Sequence, residues 1–288
     1  MPCAVRSQEA IQLSQIHKVL EYVNPAYAFS KNNPSGNIIY RNQWTGVNGA
    51  PKTYAFNFHY PFHYYNIGLG ATALKEQIGL RNTTRVGINL DVGVRSTEKS
   101  FLSMGLQGGI KHHHFNTEEA VAVYYEDELV IENITSPYLS AGMMYFTRKF
   151  QAGLSMYLLI PEKDNQDYLE NLSLNAHVSY YVRISQLFAL KPVILYKQNT
   201  WRVNALDVGS FLLYKDVLWV GTSYRLRDAV IVSLDIKLTD KLRLGYSYDI
   251  GVKKSYRKVG NTNELRLEFE LNHRRSKEYL TLHSEITN

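Results

Sequence analysis

Three consecutive histidines, His112-His113-His114, followed by Glu118 and Glu119, form the most metal-like cluster in the chain. Neighbouring side chains on a strand point to opposite faces, so His112 and His114 alone could share a ligand sphere, with a glutamate from the following loop completing it. A polar strand end entering a loop accounts for the same residues without a metal. A second cluster, Tyr124-Tyr125-Glu126-Asp127-Glu128, places carboxylates beside aromatic rings in what reads as the longest loop. General acid–base catalysis requires a positioned partner, and no nucleophile, base or glycine-rich cradle accompanies these residues. They read as a solvated loop able to dock a protein partner. The chain has no Ser/His/Asp set with local support, no phosphate loop and no dinucleotide fingerprint. Cys3 is the single cysteine, which excludes a disulfide framework and a cysteine-based metal site. The expectation is a protein that is not an enzyme and takes no cofactor or metal.

The remaining composition describes the elements that would carry such loops. The 288 residues include 22 tyrosines, an excess that suits both strands and the interfacial girdles of membrane proteins. The net charge of +6 arises from scattered Lys and Arg, with local clusters at 253–258 and 274–277, and makes no phosphate-binding stripe. Nucleic acid is therefore not an expected partner. No apolar run reaches the roughly 18–20 residues of a membrane-spanning helix. Residues 1–8 are expected to be the remnant of a signal peptide whose basic and apolar parts lie upstream.

Glu9 to Tyr22 carries Ile11, Leu13, Ile16, Val19 and Leu20 at spacings that fit one apolar helical stripe. Asn24-Pro25 should end that helix, because the residue before proline is pushed out of the α region. Beyond it, alternation of apolar and polar residues dominates. Val86, Ile88, Leu90, Val92 and Val94 lie on one face of a strand, with Gly87, Asn89, Asp91 and Gly93 on the other. The pattern predicts about fourteen strands, at 36–45, 52–61, 66–75, 83–96, 100–113, 137–147, 149–160, 174–185, 188–198, 204–215, 217–227, 229–239, 241–252 and 262–272. Strands of soluble domains are usually about 5–6 residues long, whereas a tilted barrel strand crossing a bilayer needs about 9–11. These are of the second kind.

Connections after even-numbered strands are short, and most of those after odd-numbered strands are longer, apart from the tight turn Arg227-Asp228. Tight periplasmic turns opposite longer extracellular loops mark transmembrane barrels. The predicted fold is an all-β, antiparallel, up-and-down transmembrane β-barrel with a short N-terminal helix at or in the periplasmic mouth. Its expected divisions are 1–8, a helix or plug segment at 9–35, the barrel at 36–272 and a C-terminal tail at 273–288.

Asn24-Pro25-Ala26-Tyr27-Ala28, then Tyr40-Arg41-Asn42-Gln43-Trp44, then Gly49-Ala50-Pro51-Lys52-Thr53 closely resemble the PorP/SprF family of outer-membrane proteins of the type IX secretion system of Bacteroidetes. The likeness continues through Gly68-Leu69-Gly70, Asn89-Leu90-Asp91, Trp219 to Arg225 and Leu242 to Asp249, and so covers nearly the whole chain. Phe29 stands where the family usually has glycine. The resemblance implies a non-enzymatic barrel in the bacterial outer membrane, in contact with its lipid. It would work with secretion-system proteins and with the C-terminal domain of a large surface adhesin used in gliding motility. A channel for a small or apolar solute is the alternative. Arg41 is expected to anchor a lumenal network and Trp44 to sit at the outer interface beside the loop containing Gly49 and Pro51. Tyr124 to Glu128 is the candidate partner loop.

Overall fold

In a computed structural model of the chain, the described residues are 11–30, 33–97, 99–115, 133–160, 172–199, 203–215, 217–252 and 260–271. Fourteen strands run in order: β1 (Ser35–Asn42), β2 (Lys52–Phe62), β3 (Ile67–Ile78), β4 (Arg81–Thr97), β5 (Ser100–Phe115), β6 (Ile134–Thr147) and β7 (Phe150–Leu159). They continue as β8 (Leu172–Tyr180, resumed past Tyr181 by Val182–Arg183), β9 (Phe188–Asn199), β10 (Val203–Tyr214), β11 (Leu218–Arg225), β12 (Ala229–Lys237), β13 (Leu242–Gly251) and β14 (Thr262–Glu270). Each pairs antiparallel with its chain neighbours, and β14 returns to β1 from Ser35↔Glu270 to Asn42↔Asn263, closing the barrel. Closure leaves no unpaired edge, the condition a sheet must meet to cross a bilayer. No helix among the described residues is long and apolar enough to span a membrane; the strands do so.

Alternation acts in the inverse of the soluble sense. Along β4, Ile88 is 70% exposed while Asp91 is fully buried, and the outward residues of β1 to β14 are mainly aliphatic or aromatic. The buried inward set includes Asn37, Arg41, Asn57, Asn89, Ser103, Asp249, Glu264 and Arg266. In water that arrangement would expose tens of large apolar side chains; in a bilayer the apolar face meets hydrocarbon and the polar face lines the lumen.

The short connections, such as those at 98–99, 148–149 and 215–217, share one end of the barrel, which by the usual asymmetry is periplasmic. The other end carries the longer connections, including 43–51 and 116–133. Two tight turns also lie there: Leu226 to Asp228, and a two-residue turn at Gly79-Leu80 where a seven-residue gap was expected. Gly79 has φ 56°, a left-handed conformation that glycine adopts without steric cost.

The expected α-helix at Glu9–Tyr22 is replaced, over its described part, by two 3-10 turns, Ile16–Lys18 and Leu20–Tyr22, with a third at Pro25–Ser30. The barrel wall competes for the backbone groups that a helix would pair internally. The N–H groups of Ser14 and Gln15 donate to Glu264, and the carbonyls of Ile11 and Leu13 accept from Lys197 and Arg225. The apolar stripe still finds a core: Leu13, Ile16, Val19, Leu20 and Val23 are buried together with Ile39, Ala55, Leu74 and Leu195 of the wall.

Candidate functional site

The segment Ile11–Ser30 forms a strap inside the barrel. Its first residues lie toward the long-loop end, against residues such as Thr53, Glu76, Thr83 and Lys197, so the strap reaches well beyond the periplasmic mouth where a helix was expected. It descends along β10 to β14 as far as Lys18, whose ammonium sits 2.9 Å from the ring centre of Trp219 near the short-turn end. It then crosses the lumen and settles on β4 to β7.

Charge holds the first half. Glu264 accepts the Ser14 N–H at 2.6 Å and the Gln15 N–H at 2.8 Å, one on each carboxylate oxygen. Arg41, 2% exposed, faces Glu264 at 3.4 Å and Asp249 at 2.9 Å, and also donates to the Ser14 hydroxyl. The same hydroxyl donates to Asp249 at 2.6 Å. Arg225 bonds Asp207 at 3.1 Å and the Leu13 carbonyl at 3.1 Å. Below them Arg266 contacts Asp235, Glu268, Asn37 and the Gln15 side chain. Buried charges are tolerated only when paired and hydrogen-bonded. Here the strap backbone supplies several of the partners, so the network and the docked strap stabilise each other.

Shape holds the second half. Asn24 accepts the Ala26 N–H at 3.0 Å on its side-chain oxygen and donates its amide to the carbonyls of Met143 at 3.1 Å and Leu154 at 3.4 Å. That reach requires glycine beneath it. A Cβ at Gly105 would come within 2.5 Å of the Pro25 and Ala26 backbone, and one at Gly142 or Gly153 would strike the Asn24 side chain. Phe29, at the position unusual for the resembled family, lies over Gly93 and packs with Phe101 and Phe146 at centroid separations of 6.3 and 6.4 Å.

The motif residues thus separate. Asn24, Pro25, Ala26 and Tyr27 lie buried in the strap on the β4–β7 side, whereas Arg41 joins the charged wall opposite. Asn42, Trp44 and Gly49 line an outer recess; the Gln43 N–H donates to the Pro51 carbonyl at 2.9 Å and closes the loop above it. Trp44 and Gly49 have φ values of 47° and 73°. His112 and His114 stack 6.5 Å apart on the outer face, their Nδ1 atoms bonded to Thr135 and Asn133. No group of three metal-ligating side chains occurs among the described residues. Tyr124, Tyr125, Glu126, Asp127 and Glu128 lie outside the described residues. Asp207 and Glu264 do not stand out in the sequence, and Arg225 and Asp249 enter there only as ends of stretches that carry the family likeness. Their signal is charge in the polar phase of late strands; Asp207 and Arg225 face each other across one hairpin, but the partners of Arg41, 208 and 223 residues away, cannot be matched by pattern.

A closed antiparallel barrel with lipid-compatible residues outside and a charged, strapped lumen is an outer-membrane β-barrel. Similar solved structures include the CymD monoaromatic hydrocarbon channel, at 11% identity and TM-score 0.52, covering 87% of this chain and 92% of that one. The Ralstonia pickettii toluene transporter TbuX aligns at 8% identity and TM-score 0.52, covering 86% and 92%. A search of curated protein sequences finds no match. The family model described as type IX secretion system membrane protein PorP/SprF matches residues 5–269. The chain belongs to that family, is an outer-membrane protein, and is thereby associated with components of the secretion system.

Proposed function

We propose that the protein is a non-enzymatic component of the type IX secretion and gliding apparatus that supports secretion or surface anchoring of a large adhesin by binding it, together with periplasmic parts of the machinery. The observation that carries this reading is the family match over residues 5–269. The strap is consistent with it, since a lumen crossed by a bonded segment suits a docking platform better than a solute path. The N-terminal segment 9–35 is read as the plug, 36–272 as the barrel and Tyr124 to Glu128 as the cargo-facing segment. The test is pull-down from native outer membrane with partners identified by mass spectrometry. Capture of a secreted adhesin through its C-terminal domain is expected, and capture should fall when 116–132, which ends before β6, is replaced by a short Gly/Ser linker. Recovery of normal adhesin display with that linker would remove the loop assignment.

A second reading, a channel for a small or apolar solute, draws on the likeness in fold to the CymD monoaromatic hydrocarbon channel; the cavity between the strap and β8 to β11, bordered by Leu20, His177, Val193, Leu195 and Asp207, is water-sized at about 30 Å³. Steady conductance of the isolated full-length protein, or solute uptake that depends on it, would favour this alternative.

A further inference from the structure

The outside of the barrel carries a second ordered surface, separate from the lumen. At the long-loop end the unbroken antiparallel registers of β1 to β5 align outward-facing residues in rows. The row nearest the bilayer centre is Ile38, Phe56, Ala73, Val86 and Ile110, all apolar. Two residues outward the row is Tyr40, Tyr54, Lys75, Thr84 and His112, and two further it is Asn42, Lys52, Gln77, Asn82 and His114. Two residues of strand advance about 6–7 Å, and the headgroup layer on each side of a bilayer is about 5–7 Å thick. The strands of such a barrel tilt, so the rows slope across the wall; on each strand the two polar positions follow directly on a lipid-facing one at the loop end, where the wall passes from hydrocarbon to headgroups.

Their chemistry differs from a generic aromatic girdle. The two rows contain two ammonium groups, three primary amides and two imidazoles, and no carboxylate. Above them the β1–β2 loop and the β3–β4 turn are clamped together by the Gly79 N–H donating to the Gly49 carbonyl at 2.9 Å, and Gly49 packs so closely that an added Cβ would lie 3.3 Å from Gly79 Cα. The resulting open recess is lined by Asn42, Trp44, Lys52, Gln77 and Asn82. The imidazoles are fixed through Nδ1, His112 by Thr135 at 2.8 Å and His114 by Asn133 at 3.0 Å.

We propose that this rim binds the phosphorylated sugar headgroup of an outer-leaflet glycolipid. Lys52 and Lys75 supply the positive charge for phosphate. The amides of Asn42, Gln77 and Asn82 offer both donors and acceptors to sugar hydroxyls, and the apolar row below takes the acyl chains. The absence of carboxylates from the two rows selects an anionic headgroup, and their place next to the lipid-facing positions of the same strands selects a lipid. The inference does not depend on which cargo the secretion system carries.

The test is equilibrium binding of lipid A to the full chain purified in mild detergent, with folding checked by heat-modifiable migration. A lysine beside an anionic membrane surface contributes about fivefold in affinity, so the K52A/K75A double variant should bind on the order of thirtyfold more weakly. The K149A/K241A variant, altered at the opposite end of the barrel, should bind as the parent does, and dephosphorylated lipid A should bind the parent less well. The proposal is overturned if the parent does not bind lipid A, or if K52A/K75A retains the parent's affinity. It is equally overturned if phosphatidylglycerol binds as tightly as lipid A, which would reduce the rim to a surface that senses charge alone.

Discussion

Replacing Glu264 by glutamine separates the charge that holds the strap from the shape of the lumen. The carboxylate receives two backbone N–H bonds, from Ser14 and Gln15, at 2.6 and 2.8 Å. Hydrogen bonds to a charged group are worth about 1.5–3 kcal/mol net, against about 1 kcal/mol for neutral pairs. Glutamine keeps one acceptor oxygen, so one N–H loses its partner and the other falls to neutral strength. Arg41 loses a contact at 3.4 Å but keeps Asp249 at 2.9 Å. The sum is a loss of about 3 kcal/mol from strap docking, a factor on the order of a hundred in the docked-to-undocked ratio. Hydrogen exchange of the Ser14 and Gln15 amides, followed by mass spectrometry on detergent-solubilised protein, should accelerate by that factor while β1 and β14 exchange as before. An acceleration below about threefold would refute the assignment of Glu264 as the anchor. Equal acceleration through β1 and β14 would show that the residue holds the barrel seam instead.

Three further outcomes follow from the same geometry. Gly105→Val should lift the Asn24–Phe29 part of the strap, because the added carbons meet Pro25 and Ala26 backbone that cannot rotate away; exchange of 24–29 should rise with the barrel still heat-modifiable. Ile88→Arg places a charge at a lipid-facing site in the middle of β4 and should cost about 2–4 kcal/mol, measured by denaturant unfolding from vesicles. Deleting 11–30 should leave a folded barrel with raised single-channel conductance in planar bilayers; unchanged conductance would mean that the strap does not obstruct the lumen.

The strap also illustrates where pattern reading misleads. Ile11, Leu13, Ile16, Val19 and Leu20 satisfy a helical stripe, yet in the lumen Leu13, Ile16, Val19 and Leu20 are buried and Ile11 half-buried without an α-helix, along a segment whose backbone is partly bonded to the wall. Periodicity reports which residues seek burial; it does not report that the surroundings offer carboxylates and guanidinium groups as competing backbone partners. Gly93, Gly105, Gly142 and Gly153 show the same limit. In sequence they are the small members of an alternating phase, and their role as the floor under Asn24 and Phe29 exists only after four strands are brought side by side.

The sequence by itself determined the barrel. Period-2 alternation over bilayer-length strands is a local property, and so are tight turns and the Asn-Pro-Ala-Tyr and Arg-Asn-Gln-Trp motifs. Strand bounds, with few exceptions, agree to within about three residues, the ordinary slack of boundary assignment. Tertiary structure decided what occupies the lumen and which groups meet there. Arg41 with Asp249 and Glu264, and Arg225 with Asp207 and Leu13, become neighbours through closure, register and strap threading. The contacts of Arg41, and that of Arg225 with Leu13, are long-range, whereas Arg225 and Asp207 face each other across one hairpin; the energy of each buried charge still depends on partners from the opposite end of the chain.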